Sequence, residues 1–163
     1  MGAFFLKDSY FSAYPVIKRI MQTNTDLNED LSNIDVLSDE DWISLIAYFL
    51  PYVTAGLIPA ITIGICSLKY FHDISPSRFD KSILSIMLEH NYIDLNDSWD
   101  YNNLLMMMEL CDSSAIRDFL DIGMNSSDVY VSESAQDHYN TNPRDENWYK
   151  YYLDEYNKLL NKL

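Results

Sequence analysis

Residues 42–68 carry no charged side chain. An uncharged stretch of that length belongs either in a bilayer or in a protein interior. The run itself favours the interior. It holds Pro51, Gly56, Pro59 and Gly64, with polar Ser44, Thr54, Thr62 and Ser67 among them. Neither flank has the Lys/Arg cluster that would orient a span, because Lys69 stands nearly alone. Two core helices broken at Pro51 fit better than one membrane helix. A membrane seat for residues 42–68 is the competing reading.

So apolar a segment needs other elements around it, and 163 residues suffice for one domain with a substantial core. Apolar residues recur at spacings of three and four along the whole chain, with no long period-two alternation. Only 4 Gly and 5 Pro leave little room for a turn-rich sandwich or barrel. Helices are expected over residues 9–21, 38–50, 52–71 (weakened by Gly56 and Pro59), 76–90, 98–111, 115–122, 128–139 and 145–162. Ser38 followed by Asp39, Glu40 and Asp41 is a helix start, with acids suited to the first turn. Pro76 after Ser75 is another. Asp97 or Ser98 caps the fifth helix, residues 112–114 cap the sixth, and Gly123 reads as its stop. The run Leu104-Leu105-Met106-Met107-Met108 is apolar on more than one face, as in an interior helix; a Met-rich groove for partner helices is the alternative. The expected fold class is all-α, a single compact domain over residues 1–163 with seven to nine antiparallel helices.

Charge is distributed unevenly. The formal net charge is −14, from 25 acids and 11 bases. Residues 20–68 hold seven acids and no base, and residues 89–143 hold eleven acids against Arg117. A balance this acidic repels a phosphate backbone, so no nucleic acid is expected as partner. Such blocks solvate a surface; they also attract a basic protein and speed the encounter.

Little else points to chemistry. His72, His90 and His138 lack metal-ligand spacing and read as surface or loop histidines. Residues 94–100 open like a calcium loop, but Trp99 stands where the turn needs Gly and Leu105 where a bidentate Glu belongs. There is no phosphate-binding glycine loop and no nucleophile elbow. Cys66 and Cys111 sit in apolar surroundings without a C-x-x-C pattern and read as buried, reduced thiols. The short apolar start, cut by Lys7 and Asp8, is no secretory signal. The expectation is a cytoplasmic, non-enzymatic protein with no cofactor and no metal, an enzyme assembled from distant residues being the alternative.

Residues 115–139 resemble a HEAT-type helical hairpin. Asp128 matches the capping Asp of its second helix, Val131 the inward-facing residue three on, and Ala135 the small residue that lets the paired helix approach. The Arg that usually follows the Val is Ser132 here. In size, charge and helical build, the whole chain resembles the bacterial immunity proteins of contact-dependent growth inhibition and polymorphic toxin systems. That resemblance implies occlusion of a cognate toxin with a basic surface, such as a nuclease. Asp94, Asp97, Asp100, Asp118, Asp121, Asp128 and Glu133 would carry the charge, and Tyr130 would serve as an anchor. Residues 62–66 and 74–79 also resemble the central and late helices of poxviral Bcl-2-like proteins, although the preceding chain is short for that fold. This second resemblance implies an adaptor for host signalling or death-motif proteins.

Overall fold

A computed structural model describes residues 38–141 and 145–161. The helix expected over residues 9–21 and the break expected at residues 142–143 lie outside the described residues. Within them the chain is all-helical: α1 (Asp39–Val53), α2 (Ile58–Ile74), α3 (Pro76–Glu89), α4 (Ser98–Cys111), α5 (Ile116–Met124), α6 (Val129–Asn140), a 3₁₀ turn (Glu146–Trp148) and α7 (Lys150–Leu160).

The uncharged run folds as a hairpin at the centre. α1 begins directly after Ser38, with Asp39 and Glu40 in its first turn. It buries Trp42, Ile46, Phe49, Leu50 and Val53 on one side. Pro51 does not break this helix, contrary to expectation; it lies inside, two residues before the end. Proline has no N–H to give to the carbonyl four residues back, that of Ala47. That carbonyl instead meets His90 Nε2 at 3.0 Å, which removes most of the reason for a break. The second helix starts at Ile58 rather than Tyr52, and Pro59 begins it rather than weakening it. All residues from Ala60 to Leu68 are buried, so α2 is the axis of the core. Gly64 marks its closest approach to α1. A Cβ there would stand 2.6 Å from the Val53 nitrogen and 2.9 Å from Tyr52 Cβ. No helix among the described residues is long and apolar enough to cross a membrane.

Cross-links between elements give the directions. Arg78 pairs with Asp39, Trp42 Nε1 donates to Ser82 Oγ, and His90 meets Ala47, in the same order along both helices. So α1 and α3 run parallel, with α2 returning between them. The second half repeats this pattern. Ser126 bonds Asn96, Ser134 bonds Asn102, and His138 pairs with Glu109. So α4 and α6 run parallel, with α5 returning between them. α7 then packs back on α2.

The methionine run of α4 is interior. Leu104 through Met108 are all buried, which leaves no Met-rich groove. Three expected ends are corrected. Asp112 closes α4 in the left-handed conformation at φ 54°, its N–H donating to the Glu109 carbonyl, rather than capping α5. Gly123 is inside α5, not its stop. The last helix is split, because Asp145 caps the 3₁₀ turn and α7 begins only at Lys150.

Candidate functional site

Seven carboxylates single themselves out in the sequence, and the structure divides them by function. Four are engaged by the backbone. Asp97 caps α4 by accepting from the Asp100 N–H at 3.0 Å. Asp128 caps α6, its Oδ1 accepting from the N–H groups of Tyr130 and Val131. Asp94 accepts from the Asn96 N–H, and Asp100 accepts from the Asp94 N–H. These groups offset the positive ends of two helices that start side by side. Burial raises the Asp100 carboxyl above its ordinary value; the Asp94 amide works against this rise, and the charges of Asp97 and Asp94 add to it.

The other three stand on the hairpin of α5 and α6. Two contacts set its antiparallel register: Arg117 lies over the Tyr139 ring at 4.5 Å, and Gly123 faces Ala135. Val131, Ala135 and His138 turn inward. Asp128 caps, Val131 packs and Ala135 permits close approach, which are the local roles expected of them. Asp118 and Asp121 on α5 and Glu133 on α6 are all exposed, as is Tyr130 on α6 at 68%. Asp137, four residues after Glu133, extends the stripe and was not singled out in the sequence, although its spacing was visible there. None of these four carboxylates pairs with a described Lys or Arg.

Two histidines read as surface residues are interior. His138, 1% exposed, pairs with Glu109 of α4, and its ring lies 5.4 Å from that of Trp148. His72 is buried between Asp73 and Asp80, at 3.6 and 3.3 Å. Asp80 also accepts from Ser113 and Ser114, and Asp73 accepts from Tyr156 Oη at 2.5 Å. This network ties α2 and α3 to the α4–α5 turn and to α7. Its members lie far apart in the chain, so sequence spacing gave no sign of it. Among the described residues no group of three or more His, Cys, Asp or Glu could hold a metal ion. Cys66 and Cys111 are buried and free, and burial pushes the Cys66 thiol up to about 12, with the Glu155 charge adding to it.

One cleft of about 350 Å³ lies between α1 and the end of α3. Ile43, Ala47 and Ile86 line it with Glu89, His90 and Tyr92. His90 places its wall: Nε2 holds the Ala47 carbonyl while Nδ1 accepts from the Tyr92 N–H. No family model, no curated protein and no solved structure matches this chain.

Proposed function

We propose that this chain is a non-enzymatic binding protein whose acidic α5–α6 face covers the basic surface of a protein partner. The partner we infer is a cognate toxin, such as a nuclease, neutralised by occlusion as bacterial immunity proteins do. One observation supports this above the others. Asp118, Asp121, Glu133 and Asp137 lie exposed on one hairpin that also exposes Tyr130, and the single base of the region, Arg117, is laid over Tyr139. Uncompensated charge of one sign steers a basic partner in, and exposed tyrosine supplies contact area at small entropic cost.

The test uses the protein encoded immediately upstream of this chain in its genome. Its expression should arrest cells, and co-expression of this chain should restore growth. The association rate of the purified pair should fall about tenfold or more between low and physiological ionic strength. Changing Asp118 and Asp137 to Asn, and Glu133 to Gln, should slow association and leave the fold intact. A neighbour that is harmless, or a rate indifferent to salt, ends the proposal.

The cleft between α1 and α3 favours a second reading, an adaptor of Bcl-2-like type that receives an amphipathic helix. Its apolar floor would make such binding insensitive to salt, and that discriminates the two.

A further inference from the structure

Tyr130 is held in an unusual setting for an exposed aromatic. It occupies the first turn of α6, two residues after the capping Asp128 and one helical turn before Glu133. Residues three apart on a helix are neighbours on its surface. The Ser126–Asn96 bond at 2.6 Å also brings the loop of Asp94 and Asp97 against this end. The ring is 68% exposed, and carboxylates lie on both sides of it along the chain. The same hairpin displays how a tyrosine takes a cation: on the side of α6 that meets α5, Arg117 places its guanidinium over the Tyr139 ring at 4.5 Å.

We infer that Tyr130, with Glu133 beside it, is a docking point for an arginine of the partner, selecting guanidinium over ammonium. This rests on the binding reading given above and specifies its chemistry. A guanidinium is planar and weakly hydrated, so it stacks on a ring face while its N–H fork pairs with a carboxylate. An ammonium is compact and strongly hydrated; it can sit over a ring, as Lys69 does over Tyr156 at 5.0 Å, but it gives up more hydration to do so and has no plane to stack. The net acidity of the face attracts either cation; the ring distinguishes them. The occupant is a basic protein segment bearing arginine, because residues 89–143 hold eleven acids against the single base Arg117, itself laid over Tyr139.

The test titrates the full chain with two synthetic decapeptides, five Arg-Gly repeats and five Lys-Gly repeats, at equal ionic strength. The arginine peptide should bind more tightly by about twofold or more, a part of the increment of one exposed cation–π contact. Its side-chain methylene protons should shift upfield as they enter the ring current. Tyr130→Ser should abolish both the preference and the shift, while Tyr130→Phe should keep them. Because the side chain is exposed, both variants should retain the helical circular dichroism of the parent. Equal affinity for the two peptides overturns the inference while leaving charge-driven binding in place. A preference that survives Tyr130→Ser also overturns it, since another group would then be the platform. No binding of either peptide overturns it as well, and the co-expression experiment then judges the broader reading by itself.

Discussion

Gly123 stands in the last turn of α5, where alanine would ordinarily stabilise a helix by up to about 1 kcal/mol. Here the added Cβ would lie 2.1 Å from Tyr101 Oη and 2.3 Å from its Cζ. That hydroxyl is not free to move aside. It donates to the Phe119 carbonyl at 3.1 Å, and its ring stacks on Phe119 at 4.6 Å. Ala135 Cβ closes the other side at 2.8 Å. Overpacking a full site costs about 1–3 kcal/mol, which outweighs the propensity gain. Gly123→Ala is therefore expected to lower the urea midpoint with little change in slope; a raised midpoint would contradict this packing. In sequence the same glycine reads as a helix stop, because local rules see its missing side chain and not the tyrosine that fills the space.

At the level of elements, the reading from sequence succeeds where the chemistry is local. Ser75–Pro76, Asp97 and Asp128 start helices in the structure as their residue types imply. It fails where a distant partner decides. Pro51 sits inside α1 because His90, on another element, takes the carbonyl that the ring leaves open. Glu109 and His138 find each other only because α4 and α6 run parallel. The candidate site was legible as a density of acids, but density cannot separate a capping carboxylate from one that faces outward. Stability measurements can. Asp128→Ala removes the acceptor of two N–H groups and should cost about 1 kcal/mol, the ordinary worth of such a cap. Asp118→Asn, on the exposed side of α5, should stay within about 0.5 kcal/mol of the parent. Equal costs at the two positions would refute the division between capping and outward-facing acids.

Across the whole molecule, a net charge of −14 sets a pattern in pH that individual groups then refine. Self-repulsion among carboxylates opposes the compact state at neutral pH and fades as they protonate. Asp100 adds to that trend. Its carboxyl lies above its ordinary value through burial and the nearby charges of Asp97 and Asp94. The folded state therefore holds that proton more tightly than the unfolded chain, and mild acid relieves the cost of ionising it. Asp73 acts in the opposite sense. Burial would raise it, but His72, Tyr156 and Lys69 gathered around it hold it below the ordinary 3.8. Its stabilisation is complete above 3.8 and disappears as pH falls through its lower folded value. With it goes the carboxylate that accepts the Tyr156 hydroxyl and fastens α7 to α2. The melting temperature should accordingly be higher at about pH 5 than at about pH 8, and should fall once carboxylates with lowered values protonate. Asp100→Asn should raise it at neutral pH and flatten the mildly acidic rise. Asp73→Asn should lower it at neutral pH and flatten the acid fall. A melting temperature that declines steadily from about pH 8 to about pH 5 would mean that carboxylate repulsion does not limit this fold. The same charge could then not be the long-range force that draws a basic partner to the α5–α6 face.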